Sequence, residues 1–129
     1  MNPRQARRTF LAAAAALTFT VAHAQAPVDN AKLEIDHLLD FVAASSCTFV
    51  RNGTEYPPDK AREHLATKYR FVGSRISSAD EFIKYLATKS SMSGEMYHVK
   101  CGKADALSGE WLTTELNRFR KAPRVQAAR

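Results

Sequence analysis

Hydrophobic side chains recur every three or four residues in four segments of this chain. The segments are 30–44, 58–70, 79–89 and 108–121. This spacing places the apolar side chains on one face of an α-helix. A capping box begins at Ser78 before the third segment, and Ser108 is expected to cap the fourth helix. The pattern therefore predicts four amphipathic helices.

Two shorter stretches alternate between apolar and polar residues, which is typical of β-strands. The first runs over 47–51 and returns over 54–56, with Asn52-Gly53 between them. An Asn-Gly pair between such runs predicts a two-residue hairpin turn, because both residues tolerate a positive φ. The second stretch covers 96–101. We therefore expect an α+β fold in which about four helices pack on a small antiparallel sheet of two or three short strands.

The amino-terminal segment has the pattern of a secretory signal peptide. An arginine-rich start is followed by the apolar stretch 9–21, and small residues mark a cleavage site after Ala24. About thirteen apolar residues are too few to cross a bilayer core of roughly 30 Å. Arg7 and Arg8 also belong to a motif that resembles a twin-arginine export signal. The twin-arginine route carries proteins already folded in the reducing cytoplasm, which suits a domain that needs a disulfide poorly. We therefore expect general secretion to the periplasm, with the twin-arginine route as the alternative.

The composition is that of an ordinary globular protein. The chain has 129 residues, of which 45% are hydrophobic and 25% are charged, which suits one small domain. We expect a signal peptide at 1–24, a single globular domain at 25–121 and a disordered basic tail at 122–129. Removing residues 1–24 takes away three arginines and lowers the net charge from +6 to +3, so the basicity is no argument for nucleic-acid binding. No later stretch is long and apolar enough to span a membrane, and we expect a soluble monomer.

Cys47 and Cys101 are the two cysteines of the chain. A pair of cysteines in an exported protein usually forms a disulfide. Antiparallel pairing of the strands that carry them would bring the two sulfurs together. A metal site built from both cysteines and His98 is the alternative, but the pattern offers no fourth ligand. We therefore expect a disulfide, no metal site and no cofactor.

Three motifs of the chain resemble a known family. They are C-T-F-V-R-N-G from Cys47, K-S-S-M-S-G-E-M-Y-H-V-K-C from Lys89 and S-G-E-W-L-T-T-E-L-N-R-F-R from Ser108. In this order they resemble the small exported bacterial proteins of the domain-of-unknown-function family 5329. The resemblance covers residues 32–121 and includes both cysteines with their flanking residues. It implies the domain boundaries and export, and it carries no assigned activity, cofactor or catalytic residue.

The polar segment between the third helix and the last predicted strand is the candidate binding loop. Its residues are Lys89, Ser90, Ser91, Ser93, Gly94 and Tyr97. Hydroxyl and backbone N–H groups around a flexible glycine could hold an anion, a sugar or a partner protein. Residues 93–97 also resemble the S-G-x-x-Y loop with which periplasmic inhibitors of C-type lysozyme block their target. A lysozyme-inhibitor-like protein is therefore one alternative function.

A small serine hydrolase or cell-wall-active enzyme is the enzymatic alternative. Its nucleophile would be a serine of this loop, Ser90, Ser91 or Ser93. Its base would be His64 or His98, although a partly buried, hydrogen-bonded role is the commoner one for His64. The chain lacks the G-x-S-x-G motif of such enzymes, and we assign no catalytic residue. We expect a non-enzymatic binding or accessory module of the cell envelope, whose partner is an envelope protein, a glycan or a small ligand.

Overall fold

Four α-helices and four strands lie within residues 29–123 of the computed structural model, which describes residues 12–18 and 29–123. The helices are α1 (Asn30–Ala44), α2 (Pro58–Val72), α3 (Ala79–Phe82) and α4 (Ser108–Lys121). The strands are β1 (Thr48–Arg51), β2 (Thr54–Tyr56), β3 (His98–Cys101) and β4 (Ala104–Leu107). The predicted α+β class is confirmed, with four strands where we expected two or three. The predicted cleavage site after Ala24 and the tail beyond residue 123 lie outside the described residues.

The sheet is antiparallel throughout, with the strand order β2-β1-β3-β4. Phe49 in β1 is opposite both Tyr56 in β2 and Val99 in β3. These three side chains therefore share one face of the sheet, on which the helices pack. The predicted Asn52-Gly53 turn joins β1 to β2, and its residues have φ values of 50° and 75°, as a two-residue hairpin turn of this kind requires.

The disulfide between Cys47 and Cys101 is formed, as predicted. Thr48 pairs with Lys100 in the β1–β3 ladder. Cys47 precedes Thr48 and Cys101 follows Lys100, so in this antiparallel register the two cysteines lie opposite each other, with Cα atoms 4.4 Å apart. His98 points to the opposite face of β3 from Cys101, because side chains alternate along a strand. The alternative metal site is therefore wrong.

The hydrophobic pattern does not reveal β4. Ala104, Asp105 and Ala106 are of residue types that form strands poorly. The strand forms because Gly102, with a φ of 62°, turns the chain back alongside β3, where Ala106 pairs with Val99. Pairing with an existing strand thus decides the conformation of a segment whose own preference is weak.

The start of α4 differs from the prediction. Leu107 occupies the cap position and Ser108 is the first helical residue, so Ser108 does not cap the helix. The backbone N–H of Ser108 donates to the carbonyl of Tyr97 at 2.9 Å, which extends the β3–β4 pairing by one residue. The helix therefore begins directly from the strand.

The predicted cap of α3 is confirmed for Ser78, whose hydroxyl accepts from the Glu81 N–H at 3.1 Å. The Glu81 carboxylate accepts from the N–H of Ser77 at 2.7 Å instead of that of Ser78.

The third predicted helix, 79–89, is shorter and wider than expected. After α3 the chain forms a π-helical turn at Ile83–Ala87. The Thr88 hydroxyl donates to the first carbonyl of that turn at 2.7 Å, and Lys68 Nζ donates to the carbonyl of Leu86 at 2.8 Å. Polar side chains thus bond the first carbonyl of the turn and one near its end, and apolar spacing does not indicate such bonds.

The core lies between the sheet and the helices. Its fully buried large side chains are Ile35, Leu38, Val42, Phe82, Val99, Leu112 and Leu116. Arg120 of α4 joins three helices at the edge of this core. Its guanidinium bonds both oxygens of Glu34 in α1 at 2.6 and 2.9 Å, and those of Asp80 in α3 at 2.7 and 3.3 Å. α2 lies over the β1 side of the sheet, and a cleft remains between this helix and the hairpin.

Candidate functional site

A cleft of about 300 Å³ opens between the β1–β2 hairpin and α2. Cavities of this size begin to hold small organic molecules. Its apolar wall is formed by Phe49, Val50, Ala61 and Leu65. Its polar lining includes Arg51, Tyr56, His64, Tyr97 and Ser108. The cleft therefore combines a hydrophobic wall with polar groups from five parts of the chain.

Strand and helix periodicity place these side chains together. Arg51 follows Phe49 by two residues, so both point to the helix-packed face of β1. Tyr56 is opposite Phe49 and points to the same face. On α2, His64 and Lys68 are four residues apart and therefore share one side of the helix. Packing of this side of α2 against the hairpin brings the polar groups into contact.

Five side chains form a connected set of hydrogen bonds, which we call the basic cluster: Arg51, Tyr56, His64, Lys68 and Tyr97. Arg51 Nη1 lies 2.9 Å from His64 Nδ1, and Arg51 Nη2 donates to the Tyr56 hydroxyl at 3.0 Å. The Tyr97 hydroxyl lies 3.2 Å from His64 Nε2 and accepts from Lys68 Nζ at 3.1 Å. The contacts run without a break from β2 through β1 and α2 to the residue before β3.

The contacts assign the protonation state of His64. Arg51 Nη1 lies 2.9 Å from Nδ1 and 3.3 Å from Nε2 of the ring. A guanidinium group only donates, so we assign the unprotonated acceptor to the nearer nitrogen, Nδ1. The ring proton is then on Nε2, which donates to the hydroxyl of Tyr97. Burial, and after it the charges of Arg51 and Lys68, lowers the pKa of His64. His64 is therefore neutral at neutral pH.

The basic cluster carries positive charge next to uncharged partners. Among the described residues, Arg51 bonds His64 and Tyr56, and Lys68 bonds Tyr97 and two backbone carbonyls. Burial and the charge of Arg51 lower the pKa of Lys68, and burial raises the pKa of Tyr97. Shifts in these directions disfavour the charged forms, as expected of half-buried groups without a counter-charge.

Ser108 adds a nearly buried hydroxyl to the cleft wall. The residue is 3% exposed and lines the cleft. No residue in the described part of the chain hydrogen-bonds its side chain. No described side-chain polar atom is both fully sealed and without a partner, so this hydroxyl is not fully sealed. A hydrogen bond from a water or a ligand to this nearly buried hydroxyl is therefore favourable.

The candidate binding loop is packed against the hairpin turn. Ser90 is buried, and its hydroxyl accepts hydrogen bonds from the N–H groups of Met92 and Ser93, each at 3.3 Å. The Ser93 hydroxyl donates to the side chain of Asn52. Gly94 has a φ of 76° and its N–H donates to the Ser90 carbonyl at 2.9 Å. The loop is therefore held by its own hydrogen bonds and by the turn.

Tyr97 is the predicted loop residue that reaches the cleft. Lys89 and Ser91 are exposed on the surface, and recognition through them stays a prediction. No serine hydroxyl of the loop contacts a histidine in the part of the chain that the structure describes. Ser90 and Ser93 bond the loop backbone and Asn52 instead. The serine-hydrolase alternative thus gains no support from the geometry.

Comparison with known proteins gives the chain its family. Residues 29–120 match a protein family described as Family of unknown function (DUF5329). The chain belongs to this family. The resemblance of the three sequence motifs is thereby confirmed, and the whole basic cluster of this DUF5329 protein lies within the matched residues. 

A similar protein is "Uncharacterized protein YfeK" of Salmonella typhimurium, which is 40% identical over 50 residues. These residues are 39% of this DUF5329 chain and 42% of the Salmonella protein, so the match spans less than half of that relative. No solved structure matches the chain.

Two general features of the DUF5329 protein bear on the site. Within residues 12–18 and 29–123, no helix has the length and apolar character needed to cross a membrane. Over the same residues, no three side chains of His, Cys, Asp or Glu are grouped so that they could hold a metal ion. The cleft and its basic cluster are therefore the site that we consider further.

The sequence patterns did not single out Arg51 or Lys68. They indicated that His64 is a base or, more commonly, a partly buried, hydrogen-bonded residue, and the structure shows the second role. A signal for Arg51 was present, because a charged residue two positions after Phe49 points inward in an alternating strand. A signal for Lys68 was its position four residues after His64, next to the apolar stripe of Leu65. Neither signal shows on its own which groups the two cations contact.

Proposed function

We propose that this DUF5329 protein is an exported, non-enzymatic binding module of the cell envelope, which holds a small ligand in the cleft between the β1–β2 hairpin and α2. The observation that carries the proposal is the cleft itself. It measures about 300 Å³ and joins an apolar wall to polar groups from separate elements. Binding sites for small molecules commonly have a mostly apolar wall and a few placed polar groups.

Two features of the chain support export. The amino-terminal segment has the charged start, apolar middle and small-residue end of a signal peptide. The Cys47–Cys101 disulfide suits an oxidising compartment, because cytosolic thiols are kept reduced. The bacterial periplasm meets both conditions.

The bonding of the basic cluster supports binding rather than turnover. Lys68 Nζ donates to the carbonyls of Leu86 and Lys89 and to the Tyr97 hydroxyl, at 2.8, 3.4 and 3.1 Å. An ammonium group has three N–H donors, so these bonds hold it as a fixed cation rather than as a nucleophile. The acceptor nitrogen of His64 faces Arg51, which keeps it from acting as a base toward a ligand.

The first test measures capture of a ligand by the cleft. Protein purified from the periplasm is freed of ligand by unfolding and refolding, mixed with small molecules extracted from the periplasm, and examined by native mass spectrometry. We expect a bound small molecule in the wild type and none in Ala61→Trp, because the indole would fill the cleft. Ala44→Trp places the same side chain at an exposed position at the end of α1 and should bind as the wild type does.

Thr67→Trp is the second blocking variant, because Thr67 is an exposed residue of the cleft lining and tolerates a larger side chain. It replaces Ala61→Trp if circular dichroism shows that the latter is unfolded. No captured molecule in the wild type, or equal capture by the wild type and the blocked variants, would overturn the proposal.

Fractionation of cells that express the full chain tests export separately. We expect the protein in the periplasm with residue 25 as its first residue, as read by amino-terminal sequencing. A full-length chain that stays in the cytosol would contradict this part of the proposal.

A further inference from the structure

We propose that the ligand of this cleft is a small organic carboxylate, which bonds Arg51 and the hydroxyl of Tyr97 and packs its apolar body against Phe49 and Leu65. The inference rests on the proposed function and adds the chemical class of the ligand. It follows from the unused donors of the basic cluster, from the sign of its charge and from the size of the cleft.

The basic cluster has hydrogen-bond donors without acceptors. A guanidinium group has five N–H donors, and the described contacts of Arg51 engage Nη1 and Nη2 but not Nε. The hydroxyl oxygen of Tyr97 accepts from Lys68 and His64, so its own proton is free to donate. Carboxylate oxygens accept such bonds strongly, and arginine binds them through two N–H groups at once.

The charge of the cluster selects an anion. The described partners of Arg51 and Lys68 are neutral groups, so a bound anion would neutralise charge that the protein leaves uncompensated. Glu63 is the carboxylate among the lining residues. Its side chain is 67% exposed and pairs with Lys60 at 3.3 Å, so it does not supply the counter-charge.

The donors available suit one negative charge. The three N–H groups of Lys68 are already bonded, which leaves Arg51 as the cation of the basic cluster with unused donors. Lys60 also lines the cleft, but its charge is paired with that of Glu63. A carboxylate needs one such partner, whereas a phosphate dianion presents more charge and three acceptor oxygens. The carboxylate is therefore the better match.

The volume and the wall define the rest of the ligand. A cleft of about 300 Å³ holds about ten non-hydrogen atoms at roughly 30 Å³ each. Phe49, Ala61 and Leu65 form the wall, so the body of the ligand should be apolar. Ser108, which has a hydroxyl without a described partner, offers a bond to any further polar group. Phenylacetate has these properties and serves as the probe.

Isothermal titration calorimetry with three probes tests the inference: phenylacetate, its neutral analogue phenylacetamide, and phenyl phosphate. We expect the wild type to bind phenylacetate at least about tenfold more tightly than the amide, and phenyl phosphate more weakly than phenylacetate. In Arg51→Gln the preference for phenylacetate over the amide should fall below about threefold, with the affinity for the amide unchanged. Arg62→Gln is the matched control, because Arg62 pairs with Asp40 at 3.6 Å and does not line the cleft.

Equal affinity of the wild type for phenylacetate and phenylacetamide would overturn the inference, and so would a preference that survives in Arg51→Gln. Tighter binding of phenyl phosphate would overturn it in favour of a phosphate ligand. Binding of none of the probes would also overturn it. None of these results affects the capture experiment, in which the wild type binds a natural molecule and Ala61→Trp does not. Failure of the inference is therefore distinct from failure of the proposed function.

Tyr97→Phe gives a second variant if Arg51→Gln is shown to be unfolded by circular dichroism. It removes the donor and keeps the ring. We expect the preference for phenylacetate over the amide to fall severalfold, and an unchanged preference would count against the inference.

Discussion

Removing the disulfide should cost a large share of the stability of this protein. Cys47 and Cys101 are 54 positions apart, and the β1–β2 hairpin, α2 and α3 lie between them. In the chain-entropy model, a cross-link that closes a loop of this length removes about 14 cal/mol/K of entropy from the unfolded chain. Loss of the cross-link therefore destabilises the protein by about 4 kcal/mol at room temperature. Domains of this size unfold with roughly 5–15 kcal/mol. We therefore expect Cys47→Ser/Cys101→Ser to lose between a quarter and most of the free energy of unfolding.

Urea unfolding of the oxidised wild type and of the double variant measures this loss. Trp111, the one tryptophan of the chain, packs against Phe41 and Phe49, so its fluorescence reports the core near the cleft. Circular dichroism of the helices gives an independent signal. A loss of about 4 kcal/mol should lower the melting temperature by roughly 15–30 °C for a domain of this size.

The wild type under reducing conditions is the control. It should match the double variant, and the double variant itself should not respond to the reductant. A double variant within about 1 kcal/mol of the oxidised wild type would refute the entropic reasoning. Two alkylatable thiols in protein taken from the periplasm would show that the bond is not made there, and would remove one of the two supports for export.

Two further predictions concern charged groups. Arg120→Ala leaves the buried carboxylate of Glu34 without its two-bond partner, and we expect a loss of about 2–3 kcal/mol in urea unfolding, with a loss below about 1 kcal/mol as the contrary result. His64 has a lowered pKa in the folded protein because of burial, Arg51 and Lys68, so the unfolded chain binds its proton more readily. Above the ordinary histidine pKa of about 6.5, His64 is neutral in both states and does not lower the free energy of unfolding. As the pH falls below that value toward the folded pKa, the unfolded chain takes up the proton first and the free energy of unfolding decreases. The fall in melting temperature between pH 8 and pH 5.5 should be smaller in His64→Gln than in the wild type. An equal fall in both proteins would contradict the lowered pKa of His64.

Much of the fold could be predicted because local backbone requirements define it. The Asn52-Gly53 turn needs two residues with positive φ, and the structure has them there. The cap at Ser78 satisfies an N–H group that the first turn of any helix leaves free. The cysteine pair follows from strand pairing, since Cys47, directly before β1, lies opposite Cys101 at the end of β3.

The parts that were mispredicted depend on partners that are distant along the chain. The alanine-rich β4 becomes a strand because β3 pairs with it. Ser108 begins α4 without capping it, because the pairing of its N–H with Tyr97 carries the strand to Leu107, which takes the cap position. The third helix widens where Lys68, from α2, bonds the carbonyl of Leu86. Neither propensity nor periodicity carries information about such bonds.

The same division applies to the cleft. Alternation along β1 and helical spacing along α2 direct two cations inward, since Arg51 is on the face of Phe49 and Lys68 is on the side of α2 that carries His64. That these cations meet hydroxyl, imidazole and carbonyl groups instead of carboxylates follows from the packing of the elements and not from these local patterns. Charge compensation depends on distances of a few ångströms between elements far apart in the chain, and the packing of α2 against the hairpin sets those distances.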